Sequence, residues 1–162
     1  MITGIFVPED ETKEVRSIEI DAESVEDMQE LLGGQFHVLN TSTPPASLFY
    51  NDEWSVKGLP LNRRASYLLW LHAKHYRTAA VIGGDALLTG PADRRGITKS
   101  VPDGMVSLLL ETEAYAVEFL NNPRSPYIRD MLTFTEWPDA YEYALTLVRR
   151  FMHLTDVRVV RA

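Results

Sequence analysis

Short apolar runs, each closed by glycine, proline, asparagine or aspartate, constrain this chain more than any other feature. Between residues 48 and 90, LFYNDEWSVKGLPLNRRASYLLWLHAKHYRTAAVIGGDALLTG, the polar and turn-forming residues gather at three joints: Asn51-Asp52-Glu53, Gly58-Leu59-Pro60-Leu61-Asn62 and Gly83-Gly84-Asp85. Apolar runs of this length build a layered core, and joints between them are where a scaffold presents its chemistry. Even the Val106 to Leu110 run is short and interrupted by Ser107, and the start MITGIFVPEDETKE lacks a basic leader. Neither a signal peptide nor a membrane span is expected, and the expected location is the cytoplasm.

Periodicity and punctuation give the element order. Ile2 to Val7 and Glu14 to Ile20 read as a hairpin joined by the polar turn Pro8 to Lys13. A helix follows, started by Asp21 or Ser24, with Val25, Met28, Leu31 and Leu32 on its buried face and Gly33-Gly34 as its stop. Phe36 to Leu39 reads as a short strand, and Thr41 to Pro45 breaks structure because two prolines withhold ladder donors. Leu48 to Tyr50 resumes a strand. Asn62 stands where an N-cap belongs, before a helix carrying Ala65, Tyr67, Leu68, Leu69, Trp70 and Leu71. Ala79 to Ile82 and Ala86 to Thr89 read as strands either side of a Gly83-Gly84-Asp85 hairpin turn, Gly90 to Gly96 as a loop, and Met105 to Leu110 as a helix started near Asp103. The last fifty residues read as a β-β-α-β unit: strands at Tyr115 to Leu120 and Tyr127 to Phe134, a helical stripe of Trp137, Ala140, Tyr141, Ala144, Leu147, Val148 and Phe151, and a strand from Val157 to Val160. The expectation is an α+β protein with a mixed or antiparallel sheet and two or three packed helices over residues 1–111, followed by a second unit over residues 112–162 packed on the first.

Composition excludes several classes of function. The 162 residues are 45% hydrophobic and 24% charged, which suits a folded domain rather than a disordered chain. No cysteine is present, so disulfides, thiolate nucleophiles and cysteine-based metal sites are absent. The net charge of -7 repels a phosphate backbone, so nucleic acid is not an expected partner. It is also modest for a mimic of DNA charge.

Each constellation has a plain reading beside a sharper one. Asn51, Asp52 and Glu53 form the edge of an acidic pocket or simply a turn; Asp52 and Glu53 joined by Asp85 would serve a metal-assisted hydrolase. Asn62 needs only a short acceptor to cap a helix, in which case serine replaces it with little loss. Gly84, within its glycine pair, could bring backbone amides to a phosphate, with Arg63 among the arginines that meet it, but the pattern lacks the specificity of a nucleotide fingerprint. His72 and His75 stand three apart on the expected central helix without a carboxylate in register. Arg63-Arg64, Arg94-Arg95 and Arg149-Arg150 would form an anion site only if the fold gathered them, and with the net acidity of the chain they read as scattered solvated charge. Ser66 and Ser107 lie in helices with no nucleophile elbow. No cofactor or metal is implied.

Four of these elements together resemble a known family. Val25-Glu26-Asp27-Met28-Gln29-Glu30-Leu31-Leu32-Gly33-Gly34 resembles its LQ-x-x-VGG element, Asn51-Asp52-Glu53 its acidic turn, Gly58 to Ala65 its G-L-P-x-N-x-x-A element, and Ile82 to Gly90 its I-x-G-D-x-x-x-T-G element. The family is the domain of unknown function 3846, and the resemblance covers roughly residues 1–110, in order and at matching spacing. Where that family often has an aromatic-isoleucine-glutamate strand, this chain has Phe36-His37-Val38, so no role of that glutamate carries over. The resemblance implies an accessory protein of a phage or mobile element in an actinobacterial cell. The C-terminal unit, with Ala140 and Ala144 spaced along its helix, resembles tails of actinobacteriophage proteins. The leading expectation is a non-enzymatic protein that binds a host protein to modify host physiology or counter a defence, with Asn51, Asp52, Glu53, Asn62, Arg63, Gly84 and Asp85 as candidate binding residues. The alternatives are a small-molecule binder that sequesters a nucleotide-like ligand, and the hydrolase.

Overall fold

Eight strands and four helices form two antiparallel sheets in the computed structural model, which describes residues 1–162. The fold is α+β. The chain divides into two compact units, Met1–Val106 and Ser107–Ala162. The division falls inside a helix a few residues before the seam expected near Thr112.

In the first unit, β1 (Ile2–Val7), β2 (Arg16–Ile20), β3 (Phe36–Ser42), β4 (Pro45–Asn51) and β5 (Ala86–Thr89) lie in the order β2-β1-β5-β4-β3. Helix α1 (Val25–Leu32) connects the two edges. Its Ser24 cap accepts from the Asp27 amide, and Gly33 closes it in the left-handed region at φ 79°. Met28 and Leu32 bury against Ile20, Phe49 and Leu87, so one face of the sheet closes under α1. Val25, expected on the buried side, shares the stripe of Met28 and Leu32 but, as the first residue of the helix, is 58% exposed. The alternate residues Ile5, Val7, Leu48 and Leu88 are also fully buried, on the opposite face. Helix α2 (Arg63–His72) packs on the β3 side. Its first end is tied to Val7 by Asn62 and its last to Thr43, whose carbonyl lies 2.7 Å from His72 Nδ1.

Several sequence expectations are corrected. The Thr41 to Pro45 segment does not interrupt the strands: β3 runs to Ser42 and β4 begins at Pro45, which closes the ladder opposite Ser42, where a missing donor costs least. Ala79 to Ile82 is not a strand. Its backbone is satisfied by α2 instead, through Trp70 Nε1 donating to Ala80 O (2.7 Å), Ile82 N donating to Ser66 Oγ (3.0 Å) and Asn62 N donating to Ile82 O (2.8 Å). Gly83 consequently forms an isolated bridge with Leu61 rather than a hairpin turn, and β5 pairs with β1 and β4. His72 is the last residue of α2, and His75 lies in a separate 3-10 helix, Lys74–Tyr76, its ring 4.0 Å from that of Tyr76. The two histidines therefore do not share a helix face.

Helix α3 (Asp103–Leu110) carries the chain into the second unit, where β6 (Tyr115–Leu120), β7 (Ile128–Phe134) and β8 (Asp156–Arg161) take the order β7-β6-β8. Helix α4 (Trp137–Arg150) packs on this sheet through Trp137, Ala140, Tyr141, Ala144, Leu145 and Leu147. Phe151, expected in the stripe, lies past the helix end and is 42% exposed, while Leu145 takes a buried place. The N-terminal strand-strand-helix-strand succession sends its last strand, β3, to the far edge, whereas β8 returns beside β6. The two successions close differently.

Across β6, Glu118 accepts from Arg158 (2.8 Å) on β8 and pairs with Arg129 (3.3 Å) on β7. Burial works to raise the Glu118 carboxyl, but the hydrogen bonds from Arg158 and Arg129 outweigh it and hold it below its usual value. A carboxyl lowered in the fold stabilises above its unfolded pKa, and that contribution is lost as pH falls through the folded value. Glu118→Gln is therefore expected to cost about 1 kcal/mol in urea unfolding at neutral pH, both arginines being half exposed, with the deficit vanishing in acid.

Candidate functional site

The three polar joints meet at one end of the five-stranded sheet. Val7, Ala86, Tyr50 and His37 form a continuous row across β1, β5, β4 and β3, and the chain beyond that row supplies Pro8 to Glu11, Gly83-Gly84-Asp85, Asn51-Asp52-Glu53 and Gly34-Gln35. Asn62 arrives with the start of α2.

Asn51 is fully buried. Its Nδ2 donates to Leu32 O (3.0 Å) at the end of α1, and its Oδ1 accepts from Glu53 N (2.8 Å). It satisfies an orphan carbonyl of α1 and fixes the following turn, and its complete burial keeps it from a ligand. Asp52, one residue later, is exposed and only its amide is engaged, with Gln35 O at 2.8 Å. Glu53 is half-buried.

Asn62 is 1% exposed and does more than cap a helix. Its Oδ1 accepts from Ala65 N (3.0 Å), as an N-cap should, while its Nδ2 donates to both Val7 O and Gly84 O at 2.9 Å. Serine can reproduce the first bond but not the other two. Replacement by serine with little loss, the expectation for a simple cap, does not match this geometry.

Arg63, Arg64 and Asp85 hold the loop after β1. Arg63 makes a two-bond pair with Glu11 at 2.9 Å, and Asp85 Oδ1 accepts from Glu9 N (2.9 Å). Arg64, 7% exposed, donates to Pro8 O (2.7 Å) and Asp10 O (3.1 Å), while its buried Nε has no partner. Burial pulls its guanidinium below the usual value, against the pull of the Glu11 and Asp10 carboxylates. Sequence reasoning counted Arg64 among solvated charges. Only its place beneath Pro8 and Asp10 shows otherwise.

The glycine pair is likewise spent inside the fold. Gly84, at φ 72°, donates its amide to Pro60 O (2.8 Å). The Trp54 ring lies so close over Gly83 that a Cβ there would sit 2.0 Å from its Cε3. No phosphate cradle is open at these positions. Asp52, Glu53 and Asp85 share this end, yet no group of three His, Asp or Glu side chains is close enough to hold a metal ion. The arginine pair at 94 and 95 lies elsewhere, on a turn where Arg95 and Lys99 face Asp93.

This end also exposes large apolar side chains. Val56 is 87%, Leu61 60% and Val81 43% accessible. Leu61 bridges Gly83, Val81 is two residues before it, and Val56 lies in the run of turns between Asn51 and Leu59. Three large apolar side chains left in solvent at one end of a sheet are the feature there that suits an interaction surface.

A family model described as "Domain of unknown function (DUF3846)" matches residues 2–114. No curated protein and no solved structure matches the chain. No helix is long and apolar enough to cross a membrane.

Proposed function

Because the chain belongs to the domain of unknown function 3846 family, a membership that carries no activity with it, we propose a function from its own surface: a non-enzymatic accessory protein, of phage or mobile-element origin, that binds a host cytoplasmic protein. The host setting follows the family resemblance. The mode of action follows the division of labour at the sheet end, the one observation that carries this reading. Asn51, Asn62, Arg64 and Gly84 are consumed in holding backbone together, whereas Val56, Leu61 and Val81 stand in solvent on the frame so fixed. Apolar side chains on a rigid frame suit a protein interface, where a few desolvated anchors carry most of the affinity. Neither the nucleotide-binding nor the hydrolase reading has a comparable observation behind it.

Val56→Ser combined with Leu61→Ser tests the proposal. Both side chains are exposed, so the unfolding free energy should shift by less than about 0.5 kcal/mol. Host-lysate capture followed by mass spectrometry should yield one saturable protein with the unsubstituted chain and lose it with the double variant. A partner held equally by both would move the functional surface elsewhere.

A further inference from the structure

Resting on that reading of the sheet end, we infer that the segment received there is basic: a polypeptide carrying lysine or arginine around an apolar anchor. The inference comes from how charge is sorted. Across residues 7–11, 51–64 and 81–85 the only cations are Lys57, Arg63 and Arg64. Each is engaged within the fold: Lys57 Nζ donates to Gly33 O (3.1 Å), Arg63 grips Glu11, and Arg64 donates to Pro8 O and Asp10 O. Glu9, Asp52, Glu53 and Asp85 have no cationic partner within 4 Å. Apart from Asp52, these residues are half-buried, where a carboxylate is screened less by salt than on open surface.

The same joints that expose Val56, Leu61 and Val81 therefore carry an excess of negative charge, six carboxylates against three cations, on a chain of net charge -7. An acidic partner would meet like charge, and so would a second copy presenting the same end. A basic segment with an apolar side chain matches both the anchors and the rim.

Fluorescence anisotropy of the full chain with a labelled lysine–leucine peptide tests this, with a glutamate–leucine peptide as its counterpart. The lysine–leucine peptide should bind saturably and weaken as salt rises from about 0.05 M to about 0.3 M, and the glutamate–leucine peptide should not bind. Asp52→Asn with Glu53→Gln should weaken binding about tenfold. Glu26→Gln with Glu30→Gln, an equal charge change on the exposed side of α1, should change it less than about twofold. Equal effects of the two pairs, or no binding of the basic peptide, overturn the inference. If the Val56→Ser, Leu61→Ser variant loses the peptide while the Asp52→Asn, Glu53→Gln variant keeps it, the docking surface stands and its basic preference falls. If neither pair matters, both fall.

Discussion

Asn62→Asp is expected to lower the unfolding free energy by about 4 kcal/mol at neutral pH, although it changes no shape and keeps a strong N-cap residue. The new carboxylate still accepts from Ala65 N, and near the start of α2 a negative charge is favourable. Those gains are small beside what is lost. Val7 O and Gly84 O, both at 2.9 Å from Nδ2, lose their donors inside a side chain that is 1% exposed, and an anionic oxygen is set against them. The deficit should narrow in acid, because a carboxyl facing two carbonyls has a raised pKa and its protonated form donates to one of them. Urea unfolding at pH 7 and pH 4.5, roughly the carboxyl range, checks both points. A loss below about 1 kcal/mol at pH 7 would mean that Asn62 is only a cap.

Gly83→Ala should cost about 3 kcal/mol, a large effect for one methyl group. The added Cβ would lie 2.0 Å from Trp54 Cε3 and 2.2 Å from Cδ2, so the indole must leave the backbone it covers. Space rather than conformation excludes the side chain here, as Gly83 does not lie at positive φ. Moving the ring to solvent should red-shift the emission of one of the three tryptophans. Trp54→Ala should make the alanine at 83 nearly neutral, so a double-mutant cycle isolates the contact. Equal costs of Gly83→Ala with and without the indole would place the strain elsewhere.

Legibility in the sequence tracked how local the cause was. The Ser24 start and Gly33 stop of α1, the α4 stripe and most strands are set by residues within a few positions of one another, and they were readable. The segment from Ala79 to Ile82 has strand composition, but its hydrogen bonds go to Asn62, Ser66 and Trp70 on α2, which no local pattern announces. At the joints, residue type gave Asn51 as a turn former and Asn62 as a cap, and both descriptions are true. Their second bonds reach Leu32 on α1 and Val7 on β1, so the roles that bury them depend on tertiary placement. Arg64 misled for the same reason, since an arginine beside another reads as surface charge until a loop closes over it.

The most direct test sets Asn62→Ser beside Leu61→Ser, neighbours in sequence with opposite surroundings, measuring unfolding free energy and capture of the lysate partner on the same samples. The account predicts that Asn62→Ser loses about 2 kcal/mol yet retains the partner at temperatures where it is folded, because two buried carbonyls lose their donors and no contact surface is removed. It predicts that Leu61→Ser stays within about 0.5 kcal/mol of the unsubstituted chain and captures less partner. Full stability with lost capture for Asn62→Ser, alongside undiminished capture for Leu61→Ser, would contradict it.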